Sequence, residues 1–545
     1  MAQGWPRRGP SVRPPGGKGD GLAVARGRLG SRLRGRAVNS SATEGAGTNR
    51  WAWRLAASLL GVPLALAFPR PALWWLGFIA LAPLILLARG APSAREAGIR
   101  TWLGGSLFFL SVDSWLLPEA KILTIPAALL LGALWLPWGR LAWHLLGTRA
   151  APWDVRRPLE GRRVAAAMVL LPSVFVLGEV VRSWDALGGP WALLGASQWN
   201  DLPILSLASL GGVWLVSLVL MAVNVGVAVA VGPRVPGRVR AGAALATCAL
   251  LLASLAWSAV RPEPASDGRT LRVGLVQPGK IDPVGPRFAA SETASLGLAA
   301  SHPNLIVWSE SSVGRDPSAN PGDVAAIRRV VQATGADVLA NVDAKRRTGG
   351  IYKSSLLVGP NGRVASYDKI RLVPFGEYIP TRPLLGWVAN FTQAAAQNRH
   401  HGTRLVLMRS GPVRFGPLIC FESAFPDMSR NLARMGADLI VVQSATTTFQ
   451  STWGPQQHGA LAAVRAVESG RPVVQASIAG PSVAFDWRGR QLAWQPTTRR
   501  GAVTVPVPLT RENTVFDRFG NWVPLGCVIA LLVAGVVALR HRRAV

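Results

Sequence analysis

The chain has 545 residues, 49% of them hydrophobic and 16% charged, with a mean hydropathy of +0.27. These values argue against a single small soluble domain and indicate several units, at least one of them in a membrane. The formal net charge is +31, but only six of the 59 basic residues are Lys, and most basic residues lie in tails and short loops. That distribution is typical of membrane topology, so we expect no nucleic-acid partner.

Residues 1–50 are rich in Gly, Pro, Ser and Arg and lack apolar periodicity, which predicts a disordered basic tail on the cytoplasmic face. Eight apolar segments follow, each near the ~20 residues that a membrane helix needs. Seven of them form a predicted membrane domain over 51–260. The eighth lies in a C-terminal part over 521–545 that ends in a short basic tail. The segments are 51–68, 72–89, 101–118, 122–139, 164–182, 204–232, 241–260 and 522–539.

Arginines concentrate in every second loop, at 89–100, 140–163 and 233–240, and the intervening loops carry few. Because positive residues mark the cytoplasmic ends of membrane helices, this alternation predicts that both termini lie inside. It places residues 261–520 on the extracytoplasmic face. The predicted protein is therefore a multi-pass membrane protein with one large external domain.

The 261–520 block reads as an α/β domain. Strands alternate with helices, and some strands form hairpins, which predicts a layered sandwich of sheets and helices. The predicted strands are 271–277, 304–308, 336–342, 354–358, 364–367, 405–408, 413–420, 439–443, 472–477, 482–486, 491–494 and 502–507. The predicted helices are 287–300, 321–334, 426–435 and 456–469.

Three apolar runs in this block end in a chemically useful residue: Glu310, Lys369 and Cys420. A thiol needs a base to become a nucleophile at neutral pH, and Glu310 is a candidate. Lys369 is suited to stabilise an oxyanion and to lower the pKa of the thiol. Cys420 is the only cysteine between residues 261 and 520, so it has no disulfide partner there. Singly, each residue also fits an ordinary role, as a solvated carboxylate, a surface ammonium or an inert packing thiol.

The three positions occur in ordered motifs: W-x-E ending at Glu310, K-x-x-L-V-P-F-G-E from Lys369 to Glu377, and C-F-E from Cys420 to Glu422. This set resembles the carbon–nitrogen hydrolase (nitrilase) superfamily. The resemblance implies a four-layer αββα sandwich with Glu310 as general base, Lys369 as oxyanion stabiliser and Cys420 as nucleophile. Glu377 is then an accessory acid. Glu422 either supports the nucleophile loop or has a simple structural hydrogen-bonding role.

The membrane helices narrow the resemblance to the apolipoprotein N-acyltransferase family over about residues 50–540, with local matches at 68–75, 179–182 and 454–458. The resemblance implies a multi-pass protein of the bacterial plasma membrane. Its reaction would move a fatty acyl chain from a phospholipid to Cys420 as a thioester. The acyl chain would then pass to the α-amino group of an S-diacylglyceryl-cysteine at an apolipoprotein N-terminus. No cofactor and no metal are implied.

Two aromatic residues are candidates for substrate binding, Phe421 and Trp387. Trp387 lies in an apolar loop over 384–391 that is either a mobile lid dipping into lipid or a packed surface loop. The sequence departs from the family pattern at 445–449, where Asn-Asp-x-Trp-Phe is common, and at Phe421 and Ser309, where Tyr and Pro are common. These departures bear on headgroup and acyl-chain preference. His458 and Arg465 are expected to organise their helix.

Two other functions remain open from the sequence. A membrane-tethered amidase of the nitrilase superfamily would use the same three residues to hydrolyse a small amide, but soluble nitrilase relatives lack the membrane helices. A transporter or receptor would place charges inside the membrane along a pathway. Only Asp113 and Glu179 stand out in that respect.

Overall fold

A computed structural model of the protein describes residues 50–147, 159–262, 268–347, 349–390, 397–511 and 513–543. The chain divides into two units, Met1–Leu55 and Ala56–Val545. In the first unit the described residues begin at Arg50 and are helical. The predicted tail over 1–50 therefore lies outside the described residues, apart from Arg50. All that follows concerns the second unit.

The helical half of this unit consists of helices that precede the α/β half in the chain and of one helix that follows it. Its longer helices are α1 (Ala82–Arg89), α2 (Ala94–Val112), α3 (Thr124–Gly132), α4 (Leu136–Leu146), α5 (Gly161–Arg182), α6 (Ala208–Val231) and α7 (Gly237–Val260). The last helix of the chain, Trp522–Arg543, follows the α/β half and is named α12 below. Shorter helices are Val62–Ala65, Leu117–Ala120, Leu202–Leu205, Arg382–Leu385 and Val515–Phe519.

Within the described ranges, five helical stretches are long and apolar enough to cross a membrane: Ser114–Leu146, Gly161–Arg182, Ala208–Val231, Gly237–Val260 and Trp522–His541. They agree with a membrane domain, but the count of eight spans stays a prediction. The apolar stretch Trp74–Arg89 is shorter. Helix α2 starts among charged residues at Arg95 and Glu96, so it begins before the predicted segment 101–118 and ends earlier. The predicted segment 122–139 lies inside Ser114–Leu146.

The α/β half contains helices α8 (Val284–Leu296), α9 (Pro321–Thr334), α10 (Pro426–Arg434) and α11 (Gly454–Ser469). Its strands are β1 (Thr270–Gln277), β2 (Leu305–Val307), β3 (Asp337–Lys345), β4 (Ile351–Gly359), β5 (Gly362–Asp368), β6 (Met408–Ser410), β7 (Val413–Ile419), β8 (Leu439–Ser444), β9 (Val473–Ser477), β10 (Ser482–Phe485), β11 (Gln491–Gln495) and β12 (Gly501–Pro508). All twelve predicted strands and all four predicted helices are present. The largest shift is at α8, which begins three residues and ends four residues earlier than predicted, and β6 begins where the predicted strand ends.

The strands form two six-stranded sheets, ordered β12-β1-β2-β3-β4-β5 and β11-β10-β9-β8-β7-β6. In each sheet three central neighbours are parallel, β1-β2-β3 and β7-β8-β9, and the outer strands are antiparallel. The carboxyl ends of β2, β3 and β7 therefore lie at edges where α/β folds place their chemistry.

The alternating direction of side chains along the strands explains how the layers pack. Leu305 and Val307 of β2 face a core that also holds Leu439 and Val441 of β8, so this core lies between the two sheets. The residue between them, Ile306, instead packs with side chains of α9. On the other sheet, the intervening residues of β8 share a core with Leu432 and Leu461, which lie on α10 and α11. The arrangement is helices, sheet, sheet, helices, and the predicted αββα sandwich is confirmed.

Helix α11 joins the sandwich to the helical half, and every one of its residues is buried. A helix buried on all faces has partners on all faces. The side-chain amide of Gln457 donates to the Val112 carbonyl at 3.0 Å and accepts from the Trp191 indole at 2.8 Å. At the other end of α11, the Glu468 carboxylate accepts the backbone N–H of Val213 at 2.7 Å.

The contact at Val213 stabilises a break inside α6. Gly211 and Gly212 leave the helical conformation, and Gly212 adopts a positive φ of 68° with no room for a β-carbon beside the Phe516 ring. Val213 then starts a new helical segment, and its N–H has no acceptor within that helix. The N-terminus of a helix needs such acceptors and favours a negative charge. Glu468 supplies both, and it also lies 2.8 Å from the Arg465 guanidinium.

We predict that Glu468→Ala destabilises the protein by about 3–5 kcal/mol, because it leaves the buried Arg465 without its carboxylate and removes the cap on Val213. Thermal unfolding in detergent measures the effect. Glu292→Ala is the control, since Arg329, the ion-pair partner of Glu292, is largely exposed and the loss of this pair costs less than about 1 kcal/mol. Equal, small effects of both substitutions would contradict this account of α11.

Candidate active site

The thiol of Cys420 lies at a sharp turn directly after β7. Cys420 has a φ of 51°, in the left-handed region, and starts a 3-10 turn over Cys420–Ala424. A non-glycine residue there is strained, and surrounding bonds must hold it. The Ser423 hydroxyl donates to the Cys420 carbonyl at 2.9 Å. The predicted placement of the thiol at the tip of a strand is what the structure shows, with the strand one residue shorter than predicted.

Glu422 ties this turn to the segment that carries Lys369. One carboxylate oxygen accepts the N–H of Ile419 at 2.8 Å. The other accepts the Tyr367 hydroxyl and the N–H of Ile370, both at 2.7 Å. This buried carboxylate therefore links β7 of one sheet to β5 of the other. Of the two roles open for Glu422 in the sequence, the geometry favours structural support of the nucleophile turn.

The structure brings the predicted base, ammonium and accessory acid together. Glu310 lies three residues after β2, and Lys369 directly follows β5. The ammonium of Lys369 lies 3.3 Å from Glu310 Oε1 and 2.9 Å from Glu377 Oε1. All three residues are buried, with exposed fractions of 1% for Glu310, 1% for Lys369 and 4% for Glu377. The second oxygen of Glu377 accepts the N–H of Val373 at 2.9 Å, which fixes the carboxylate.

A second lysine, which the sequence interpretation missed, completes the cluster. The ammonium of Lys353 lies 2.6 Å from Glu310 Oε1, 2.9 Å from Glu377 Oε1 and 3.8 Å from Asp343 Oδ2. Lys353 stands on β4 opposite Asp343 of β3. One signal was available: Lys353 is one of six lysines in an arginine-rich chain and sits at the start of an apolar strand. The cluster thus holds two carboxylates and two ammonium groups.

The opposite charges keep all four groups ionised at neutral pH. Burial by itself would raise the pKa of Glu310, but Lys353 and Lys369 outweigh it and hold that pKa below its usual range. The same balance lowers the pKa of Glu377. Burial would lower the pKa of each lysine, and the two glutamates raise both instead. Glu310 is therefore a carboxylate that is able to accept a proton.

The thiol itself is protonated at rest. Desolvation and the nearby charge of Glu310 raise the pKa of Cys420 to about 11. Lys369 acts in the expected direction and lowers it, as does the N–H of Ala445, but both are outweighed. The sequence predicts Glu310 as the base and Lys369 as a charge that lowers the thiol pKa; the effect of Lys369 has the predicted direction but is smaller than that of burial. A protonated thiol needs a proton acceptor before its sulfur can attack, and the ionised Glu310 stays the predicted base.

His458 of α11 contacts the turn that carries Cys420. One ring nitrogen lies 3.0 Å from the Ser423 hydroxyl and 3.1 Å from the Cys420 carbonyl, and the other lies 3.1 Å from the Ser444 hydroxyl. Burial lowers the pKa of His458 to about 4, so the ring is neutral at pH 7. The ring stacks on Trp191 at 5.7 Å between centroids. These contacts agree with the organising role expected for His458.

The two candidate substrate-binding aromatics lie in different surroundings. Phe421 is buried and packs edge-on against Phe425 at 4.9 Å. A β-carbon at Gly189 would approach the Phe421 ring to 2.9 Å, so Phe421 also packs against the helical half. Trp387 is 52% exposed on the short segment Gly386–Asn390, and residue 391 of the predicted lid lies outside the described residues. A substrate role for either aromatic stays a prediction.

Comparisons with known proteins agree with this architecture. The family profile described as the apolipoprotein N-acyltransferase N-terminal domain matches residues 60–226, and that of the carbon-nitrogen hydrolases matches residues 272–514. The apolipoprotein N-acyltransferase of Gloeobacter violaceus is 31% identical over 499 residues, which cover 88% of this chain and 92% of the relative. The chain belongs to the apolipoprotein N-acyltransferase family.

Other members of the apolipoprotein N-acyltransferase family are similar over comparable lengths. The protein of Geobacter metallireducens is 29% identical over 506 residues, covering 90% of this chain and 95% of the relative. Among solved structures, Saccharomyces cerevisiae Nit3 of the nitrilase superfamily is 20% identical, with a TM-score of 0.35 over 47% of this chain and 95% of its own. An amidase from Nesterenkonia is 18% identical, with a TM-score of 0.34 over 44% and 91%.

We predict that alkylation of Cys420 by iodoacetamide accelerates about tenfold per pH unit between about pH 7 and 10, because only the thiolate reacts and the thiol pKa is about 11. The measurement uses a variant with Cys248→Ser and Cys527→Ser, so that one thiol remains. Adding Cys420→Ser gives the background, and glutathione is the reference thiol. A rate that levels off near neutral pH would show a thiolate at rest and contradict the assignment.

Proposed function

We propose that this chain transfers a fatty acyl group from a membrane phospholipid to the N-terminal amine of diacylglyceryl apolipoproteins, with Cys420 as the acyl carrier. One observation carries the proposal: a protonated thiol on a strained turn, close to an ionised Glu310 and to Lys369, in a chain of the apolipoprotein N-acyltransferase family. The roles of the three residues are part of the proposal.

In the first half-reaction, Glu310 takes the proton of the Cys420 thiol while the sulfur attacks an ester carbonyl of the phospholipid. The carbonyl oxygen becomes an oxyanion, and the Lys369 ammonium stabilises it. The carbon–oxygen bond then breaks, and the departing glycerol oxygen receives the proton from Glu310. The products are a lysophospholipid and an acyl thioester on Cys420.

In the second half-reaction, the α-amino group of an S-diacylglyceryl-cysteine attacks the thioester carbonyl, and Glu310 accepts a proton from the amine. The carbon–sulfur bond breaks, and the sulfur takes the proton back. The apolipoprotein leaves with an amide-linked third acyl chain, and the thiol is restored. The amine must therefore reach the acyl carbonyl at the position where the phospholipid ester was bound before. Two substrates that use one site in turn give ping-pong kinetics.

A membrane location fits both substrates, since each is anchored in lipid. A site beside the bilayer shortens the diffusion of both substrates to the active site. Helices α7 and α12 support this location with exposed apolar side chains, among them Leu245, Leu252 and Leu532. In α5, α7 and α12, arginines cluster at the end that does not adjoin the α/β half: Arg162, Arg163, Arg238, Arg240 and Arg540. This distribution supports an extracytoplasmic catalytic domain and cytoplasmic termini.

The central prediction is an acyl thioester on Cys420. Incubation of the purified protein with a phospholipid of known acyl length adds the acyl mass to the Cys420 peptide in mass spectrometry. Cys420→Ala gives no adduct. Glu310→Gln and Lys369→Met each slow its formation by about 10²–10⁴-fold, because they remove the proton acceptor and the oxyanion partner. Glu292→Gln, a carboxylate change away from the site, leaves the rate unchanged.

A diacylglyceryl-cysteine peptide should then discharge the adduct as an amide. No adduct on the wild type, or transfer that continues in Cys420→Ala, would exclude the proposed function. Discharge to free fatty acid with no amide product would favour a hydrolase of the nitrilase superfamily instead.

Orientation has its own test in intact cells. In a background without native cysteines, Asn361→Cys places a thiol on an exposed turn of the α/β half, and Arg238→Cys places one at the start of α7. A membrane-impermeant maleimide should label only Asn361→Cys, because the α/β half lies outside and the basic end of α7 inside. Permeabilised cells, in which both thiols react, are the control. Selective labelling of Arg238→Cys would reverse the orientation.

A further inference from the structure

The proposed reaction assigns a role to Glu310 and Lys369 and leaves Lys353 without one. Yet Lys353 makes the shortest contact to the base, 2.6 Å to Glu310 Oε1 against 3.3 Å from Lys369. Its side chain is only 11% exposed. A buried ammonium is costly unless opposite charges surround it, and Lys353 has three carboxylates within 4 Å.

The position of Lys353 is set by strand pairing. In the antiparallel pair β3-β4, Lys353 lies directly opposite Asp343. Asp343 is itself held by Arg399 at 3.1 Å, so the carboxylate beside Lys353 has a fixed place. Lys353 therefore approaches Glu310 from β4, whereas Lys369 approaches the same oxygen from the end of β5. Two separate strands each deliver one ammonium to one carboxylate.

The charge balance of the cluster depends on the second ammonium, that of Lys353. Glu310 and Glu377 carry two negative charges, which Lys353 and Lys369 neutralise; Asp343 and Arg399 form a further opposite pair. Without Lys353, two buried carboxylates would share Lys369, and such a pair takes up a proton at higher pH than either carboxylate does when each has a partner. A protonated Glu310 has no capacity to accept the proton of Cys420.

The oxyanion step adds a second demand. When the Lys369 ammonium interacts with an oxyanion, it stabilises the negative charge of Glu310 less. Because Lys353 contacts both Glu310 and Glu377, neither carboxylate then loses all its compensation. The neighbouring groups do not replace Lys353: His458 is neutral at pH 7, and Arg399 is directed to Asp343.

We propose that Lys353 is a positioning residue that keeps the Glu310–Glu377 pair ionised and oriented, so that Glu310 serves as base while Lys369 serves the oxyanion. The inference rests on the proposed roles of Glu310 and Lys369. It does not depend on which lipid supplies the acyl group.

The test compares the pH dependence of thiol acylation in Lys353→Met, Lys353→Arg and the wild type. The probe is p-nitrophenyl acetate, an activated ester that acylates Cys420 without any lipid, and the burst of nitrophenolate reports the rate. Lys345→Met is the matched control, because Lys345 is a lysine on the same β3-β4 hairpin but is exposed. Cys420→Ser gives the background, and thermal unfolding in detergent checks that each variant is folded.

We expect the acid limb of the Lys353→Met profile to move toward neutral pH by about one unit or more, since an opposite charge near a carboxylate shifts its titration by that order. Lys353→Arg, which keeps the charge, should restore the wild-type limb at least in part. Lys345→Met should match the wild type. If Lys353→Met fails to fold, Lys353→Gln replaces it, with the same expected shift.

A lower burst rate with an unmoved acid limb would mean that Lys353 only supports the structure, and the inference would fall. An equal shift in Lys353→Arg and the neutral variant would also overturn it, because charge would then not be the cause. A normal burst together with no thioester from phospholipid would instead remove the proposed acyl donor. The two failures are therefore distinguishable.

Discussion

Two buried glutamates, the buried Lys369 and the largely buried Lys353 meet at the edge of the sandwich where the chain places its thiol. Each charge would be costly alone, so the cluster is stable only if Glu310, Glu377, Lys353 and Lys369 arrive together. Their positions come from the end of β2, the loop after β5, the start of β4 and the end of β5. The register of one sheet therefore fixes the chemistry available to Cys420, which arrives from the other sheet.

The second sheet is held against the helical half, and this contact reaches the thiol. Helix α11 carries Gln457 and Glu468, which bond to the helical half, and His458, which supports the Cys420 turn. Trp191 of the helical half contacts both Gln457 and the His458 ring. Trp191 therefore connects the helical half to the helix that contacts the Cys420 turn.

Much of the α/β half was predictable from the sequence, because its strands are short apolar runs between clear turn signals and the candidate residues end those runs. Lys353 was missed because its role depends on the antiparallel register with Asp343, which no local pattern reveals. Lys369 lowers the thiol pKa as predicted, but the sequence does not show the burial that outweighs this effect. The eight spans stay a prediction because apolar helices in this chain are interrupted by short turns and by charges, as in α2.

The proposed catalysis depends on an ionised Glu310 in the resting site. Infrared difference spectroscopy of the wild type against Glu310→Gln, recorded between about pH 5 and 8, observes this carboxyl group directly. Because Lys353 and Lys369 hold the pKa of Glu310 below its usual range, the spectra should show a carboxylate band and no carbonyl band of a protonated acid throughout that interval. A protonated-acid band at neutral pH that disappears in Glu310→Gln would contradict the account.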